Sequence, residues 1–383
     1  MATPRAAADR EGIVVTGMSV TTAFGRGPDV LREALTIGRP AFAPVTRFDV
    51  SRRRATHAAH LPGDPDLLDE LVDVVGRATG QARITGELAG RTPLLFARHA
   101  DARWARSPLT EQARHHGAAD GAELAARAGL GATPRTYTNA CVAASTAIAD
   151  AAALITAGRE ERIVAAGGYL VDTDVYGLFD AGRALATDSR LRPFSAGRKG
   201  LLLGDGVAAV VLESASAADR RGAAPLARLL GWGRAGDAYH ACRPHPEGLG
   251  MARAITAALG RAERTPEQVD YINAHGTGTP YNDSAETAAI HRAFGAQARK
   301  VPVSSTKSLT GHTLEASGIV EFAVAMLVLR EGQLPVNAGY LGEDPHCRLD
   351  LVLEVPRQVR PRTVVSLNAA FGGANTALVL EAI

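Results

Sequence analysis

The sequence predicts an α/β protein assembled from two related halves. Apolar runs alternate with amphipathic stretches along the chain, and glycine is frequent, at 40 of 383 residues, as many short strand–helix turns require. One segment also returns further on. Gly204–Glu213 and Gly372–Glu381 are each a glycine turn entering an apolar strand that ends in Glu, and they lie 168 residues apart. A repeat at a little under half the chain length suggests two halves closing on the same kind of strand, with boundaries expected at 10–220 and 221–383.

The elements follow in order. Ile13–Gly17 is a buried-strand pattern and Asp29–Gly38 the helix after it. Pro93–His99 carries another apolar run, and Thr136–Thr138 a short strand. Ser145–Ala157 is an Ala-rich helix closed by Gly158, and Ile163–Ala166 and Val207–Leu212 are apolar strands. In the second half, Glu267–Ala274 holds a strand, and Glu315–Arg330 is a helix stopped by Gly332. Val364–Leu367 and Ala377–Leu380 are the closing strands. No low-complexity linker separates the halves, so one fused two-lobed body is expected.

Composition narrows the function classes. Apolar residues make up 46% and charged residues 21%, a globular profile. The net charge of +2 gives no electrostatic case for a nucleic-acid or membrane partner. Cys141, Cys242 and Cys347 are odd in number and widely spaced, which is neither a disulfide framework nor a metal-binding CxxC. With no apolar leader and no run long enough to span a bilayer, a cytoplasmic location is expected, without metal.

Four pieces carry chemistry. Cys141, in Thr138-Asn139-Ala140-Cys141-Val142-Ala143-Ala144-Ser145, falls between a strand and a helix start. A free thiol is only about 3% ionised at neutral pH, and a helix N-terminus lowering its pKa by ~1.5 units would bring that to roughly half. An isolated cysteine is more often a small buried hydrophobe. His275 lies in Asn273-Ala274-His275-Gly276-Thr277-Gly278-Thr279-Pro280, a strand opening onto a Gly/Thr loop without the GK[ST] of a phosphate cradle. His312 ends Lys307-Ser308-Leu309-Thr310-Gly311-His312 before a helix, and a helix N-terminus would keep its imidazole neutral and able to donate. Lys307 and Glu321 suggest a buried tether beside the site, with a surface pair as the plainer account. Phe371-Gly372-Gly373 could turn backbone N–H groups inward or be an ordinary turn.

In this order the pieces resemble the β-ketoacyl synthase (ketosynthase) family of fatty-acid and polyketide synthesis. Ile13-Val14-Val15-Thr16-Gly17-Met18, Arg192-Pro193-Phe194 and Gly204-Asp205-Gly206 look like further family segments, the last with Asp in place of Glu. The resemblance implies a thiolase-like fold, five-layered αβαβα, from two pseudo-duplicated halves. It implies that Cys141 takes an acyl chain from a carrier-protein thioester. His275 and His312 would bind the malonyl thioester carbonyl and stabilise the enolate left by decarboxylation. Lys307 and Glu321 would organise them, and the backbone N–H groups of Cys141 and Phe371 would form an oxyanion hole. Thr277, Thr279, Phe371 and Gly372 would contact substrate. No cofactor is implied, because substrates arrive as phosphopantetheine thioesters on an acyl carrier protein, and a homodimer or a heterodimer with a ketosynthase-like paralogue is expected.

Ser51–Pro134 departs from the family pattern, as do Asn139, Val142 and Ala144 beside the cysteine and Ala369-Ala370 before Phe371. These departures suggest a specialised type II-like member. An acyltransferase on the same scaffold and a non-catalytic partner subunit are the alternatives. Cys141 argues against the silent partner, and retention of both histidines argues against simple transfer. Arg52-Arg53-Arg54 is expected to be a solvated turn, with docking of an acidic carrier as its functional alternative.

Overall fold

The computed structural model describes residues 12–99, 118–131 and 134–383. The main strands of the first half are β1 (Ile13–Thr22), β2 (Leu94–Arg98), β3 (Arg135–Tyr137), β4 (Arg162–Tyr169) and β5 (Gly206–Ser214). Those of the second are β6 (Ala227–Gly236), β7 (Tyr271–Asn273), β8 (Pro302–Ser304), β9 (Thr363–Ala369) and β10 (Ala374–Glu381). The first five pair in the order β1-β5-β4-β2-β3 and the second five in the order β6-β10-β9-β7-β8. In both halves the first two pairings are antiparallel and the last two parallel. The repeated glycine–strand segments are thus β5 and β10, which occupy equivalent places. The halves join where β1 meets β6, through the pairs Val14–Arg228 and Val15–Ala227.

The helices relevant here are α1 (Pro28–Ile37), α2 (Leu67–Gln81), α3 (Ala118–Arg127), α4 (Ala143–Thr156), α5 (Thr173–Ala181), α6 (Leu249–Ala262), α7 (Pro280–Phe294), α8 (Lys307–Thr310) and α9 (Ser317–Glu331). Their sequences sort them into layers. α2 is amphipathic, capped by Asp66 accepting from Asp69 N–H at 2.9 Å, and lies on the outer face of the first half. α6, backed by α7, covers the outer face of the second half. α4 and α9 are apolar or small on nearly every side; in α9 every residue from Ser317 to Val328 is buried. A helix without a polar face belongs inside, and these two pack against each other between the two halves of the sheet. The result is five layers, α2, sheet, α4 with α9, sheet, α6.

Gly318 sets how closely the central helices approach. A Cβ there would lie 2.4 Å from Ser145 N, so only glycine lets the start of α9 touch the start of α4. That contact brings the segment after Cys141 against the segment after His312. Among the described residues no helix is long and apolar enough to cross a membrane.

The Arg52-Arg53-Arg54 turn is exposed at Arg52 and Arg54, as a solvated turn is, and is anchored on one side. It packs on α5: Arg53 lies over Gly177, and the Arg54 N–H and guanidinium both reach Asp180.

Candidate active site

Cys141 sits in a single 3₁₀ turn, Ala140–Val142, that leads straight into α4. Ala140 has φ +52°, a left-handed conformation unusual for a residue with a Cβ, so the chain reverses sharply just before the thiol. The site lies at the junction of the lobes. Cys141, His275 and His312 line one cavity of about 470 Å³, with Thr277, Thr279 and Phe371 on its wall. Residues far apart in the chain therefore converge as the motif order suggested.

His275 follows β7 on a loop held from behind by carboxylates. Glu286, on α7, accepts from the N–H groups of His275 and Gly276 at 2.6 and 2.7 Å. Asp283, one turn earlier, accepts from Phe194 N–H at 2.7 Å and Gly278 N–H at 3.2 Å. Burial raises Asp283 to about 6 and Glu286 to about 7, while the hydrogen bonds each accepts pull the other way. Sequence reasoning missed both. Their only trace is an acidic pair three positions apart in the helix after Thr279-Pro280, a pattern that ordinary helix surfaces also show.

His312 is gripped on both sides by the chain of the other lobe. Its N–H donates to Leu202 O at 2.7 Å, and its carbonyl accepts from Gly204 N–H at 3.0 Å. The crossing is close: Gly311 has φ +74°, and a Cβ on Gly204 would lie 2.0 Å from Thr310 O. The expected helix N-terminus at His312 is not found, because α9 begins only at Ser317 and a 3₁₀ turn, Leu314–Ala316, intervenes. Burial and the Lys307 charge, in that order, hold the His312 imidazole well below its ordinary pKa. The neutral ring is as expected, but its cause is different.

Lys307 and Glu321 form the buried tether rather than a surface pair. The Lys307 ammonium donates to Glu321 Oε1, and Glu321 Oε2 accepts from Asn368 Nδ2 at 2.6 Å. Lys307 Nζ also stands 3.2 Å from His275 Nδ1. An ammonium has no acceptor, so His275 Nδ1 takes that bond and the ring proton resides on Nε2. Burial, then Lys307 and His312, keep His275 well below its ordinary pKa. The two imidazoles meet edge to face, ring centres 5.3 Å apart, and His312 Nδ1 is 2.9 Å from Ser317 Oγ.

Two expectations need correction. Cys141 is 6% exposed, and burial pushes its thiol up to about 12, with Glu315 adding to the rise and Lys307 opposing it. A half-ionised thiol is therefore not the resting state, since desolvation outweighs the helix terminus. Gly372 does not line the cavity, and its N–H is engaged by Ala241 O at 2.7 Å. Its neighbour Phe371 is 51% exposed and stacks on Phe179 at 5.9 Å between ring centres, at the cavity mouth. Ala370 and Gly372 both use their N–H groups on backbone carbonyls, whereas no such partner holds Phe371 N–H among the described residues.

Comparison with known proteins agrees with this geometry. Residues 93–218 match the family described as beta-ketoacyl synthase, N-terminal domain, and residues 226–340 match its C-terminal domain. The tetracenomycin polyketide synthase ketoacyl synthase alpha subunit of Streptomyces glaucescens is 34% identical over 410 residues, 96% of either chain. A 3-oxoacyl-[acyl-carrier-protein] synthase 2 of Coxiella burnetii is 32% identical over 412 residues, 98% of this chain and 99% of that one. Among solved structures, a type II polyketide synthase acyl-carrier protein in complex with its ketosynthase bound to the hexaketide aligns with TM-score 0.90 and 25% identity, covering 98% of this chain and 100% of that one. The ishigamide ketosynthase/chain length factor aligns with TM-score 0.88 and 27% identity over the same shares.

Proposed function

Because this chain belongs to the β-ketoacyl synthase family, we propose that it condenses an acyl chain carried on Cys141 with a malonyl unit held by an acyl carrier protein, in polyketide or specialised fatty-acid synthesis. The supporting observation is the convergence of a thiol and two neutral imidazoles on one cavity at the lobe junction. Residues 10–220 supply the nucleophile and 221–383 the two histidines. In the first step Cys141 Sγ attacks the carrier thioester carbonyl, the C–S bond to the carrier breaks, and the thiol proton leaves with the carrier thiol. A thiol pushed up to about 12 needs that proton to move with the attack.

In the second step the malonyl thioester carbonyl accepts from Nε2–H of His275 and of His312, the latter with the Ser317 hydroxyl donating to Nδ1. Loss of CO2 leaves an enolate whose oxygen these donors stabilise. The enolate carbon then attacks the acyl carbonyl on Cys141, a carbon–carbon bond forms, the Cys141–acyl bond breaks, and the released Cys141 thiolate takes a proton from water. The N–H groups of Cys141 and Phe371 receive the developing oxyanion, each such donor contributing about 3–4 kcal/mol. Lys307 and Glu321 position His275, and Thr277 and Thr279 flank the incoming arm. Arg183, Lys199 and Arg243 at the mouth suit an acidic carrier and its phosphopantetheine phosphate. No further cofactor is needed, the reaction is placed in the cytoplasm, and the working unit is a homodimer or a heterodimer with a ketosynthase-like paralogue.

Intact-mass measurement tests this. Incubation with an acyl-carrier thioester should add the acyl mass, Cys141→Ala should abolish that gain, and malonyl-carrier should then release CO2 and a product two carbons longer. Loading without elongation would favour an acyltransferase. Absence of loading would favour a partner subunit, which sedimentation with a paralogue would reveal.

A further inference from the structure

The cavity described above approaches Cys141 from the mouth formed by Phe371, Tyr281 and Arg243. The Cys141 turn itself packs on α4, α9, β9 and β10. The 3₁₀ turn Leu314–Ala316 bridges the Cys141 turn and the strands β2 and β4 of the first half. It carries Glu315, only 4% exposed. Glu315 Oε1 is 2.8 Å from Nδ1 of His99, which follows β2, and this bond raises the His99 pKa. Glu315 Oε2 is buried with no hydrogen-bond partner among the described residues.

A second buried polar atom lies nearby. Tyr169 ends β4 and is 2% exposed, and its buried hydroxyl faces the Asp172 backbone without a well-formed hydrogen bond among the described residues. Asp172, the cap of α5, completes the neighbourhood and is engaged by the N–H groups of Asp174 and Val175 at 2.9 Å. Folded proteins leave few buried polar atoms unsatisfied, and each asks for a ligand or a function. Here two come from different elements that pack together, the Glu315 turn and β4. The Glu315 charge is felt at both the Cys141 thiol and the Tyr169 hydroxyl.

We propose that Glu315 and Tyr169 form a polar subsite beside the Cys141 turn that selects acyl chains carrying a hydrogen-bond donor, a hydroxyl or an amine, within a few carbons of the thioester. This rests on the ketosynthase reading and names its substrate class. A carboxylate oxygen can only accept, so a plain alkyl chain leaves it unpaired and a ketone offers it a second acceptor. A hydroxyl or ammonium group donates to Glu315 and accepts from or donates to Tyr169. The position close to the thioester follows from the contact between the Glu315 turn and the Cys141 turn.

The test compares loading of Cys141 by pantetheine thioesters of octanoate, 3-hydroxyoctanoate and 3-aminooctanoate, followed by intact mass. The wild-type chain should load a donor-bearing chain at least about tenfold faster than octanoate, since a site built to hydrogen-bond a group rejects the analogue lacking it. The hydroxy and amino arms show which donor is used. Glu315→Met should bring the ratio to one or invert it, and Tyr169→Phe should lower it. A rate ratio is insensitive to the fraction of folded enzyme, and should Glu315→Met fail to fold, Tyr169→Phe decides alone. Octanoate loading as fast as both substituted chains, or an unchanged ratio in the variants, overturns the subsite while leaving the condensing activity standing. Failure of every thioester to load Cys141 overturns that activity and the subsite with it.

Discussion

Replacing Lys307 with Met separates the stabilising role of the buried cluster from its chemical role. Lys307 is 1% exposed and Glu321 3%, and the ammonium donates to the carboxylate while also bonding His275 Nδ1. Removing one member of a buried pair leaves the other charge uncompensated, at a cost of about 3–5 kcal/mol. That is a large share of the ~5–15 kcal/mol by which a folded domain is stable. The double variant Lys307→Met/Glu321→Gln removes both charges and keeps an acceptor for Asn368 Nδ2. It should regain about 2–3 kcal/mol over the single variant, the size of coupling expected between contacting residues. Condensation should stay lost in both. His275 Nδ1 has no donor once the ammonium is gone, so the ring proton is no longer confined to Nε2. Both histidines also lose a nearby positive charge that lowers their pKa, and their titration should move toward the ordinary range. Urea unfolding followed by circular dichroism gives the stabilities, and CO2 release from malonyl-carrier gives the activity. A single variant as stable as wild type, or a double variant that condenses normally, refutes the reasoning.

Three further outcomes follow from the same geometry. Glu286 faces the N–H groups of His275 and Gly276, Asn282, Asp283 and Lys307, and burial raises its carboxyl to about 7. The native state therefore keeps a proton that the unfolded chain releases near 4.5, so this group's contribution is fully present below that value and about 3 kcal/mol is lost as pH rises through 7. Glu286→Gln should remove that decline in urea unfolding, and should also remove a limb near pH 7 in the condensation rate. Gly311→Ala places a Cβ 2.6 Å from Leu203 O at φ +74° and should cost about 2–4 kcal/mol and most of the activity, whereas Gly342→Ala, which meets nothing within 4 Å, should be silent in both assays. Alkylation of the Cys141 thiol, pushed up to about 12, should keep accelerating through pH 10 when read by peptide mass, and a plateau below pH 8 would contradict the burial argument.

Much of the architecture was legible because strands buried on both faces leave long apolar runs. β5 and β10 could be matched by pattern alone, and the structure gives them the same neighbours in the same sense. The seam was not legible. It rests on Val14–Arg228 and Val15–Ala227, two pairs with no local signature. The site divides the same way. Cys141, His275 and His312 stand in loops whose glycines and threonines mark close backbone approach, so their convergence could be inferred. Glu286 and Asp283 act on backbone N–H groups, which every residue has, and such a partnership leaves no pattern to find. The same limit explains the two misjudged environments. His312 was assigned a helix terminus because α9 follows it in sequence, yet its neighbours are Leu202 and Gly204 of the other lobe. The helix that Cys141 begins would by itself lower the thiol's pKa, yet the thiol responds to burial and to Glu315, on a turn beside α9. Sequence order reports what a residue is next to along the chain, whereas a pKa depends on what surrounds it in space. In a site built at the junction of two lobes these sets of neighbours share few members, so motifs can identify the reacting groups while their protonation states have to come from the fold.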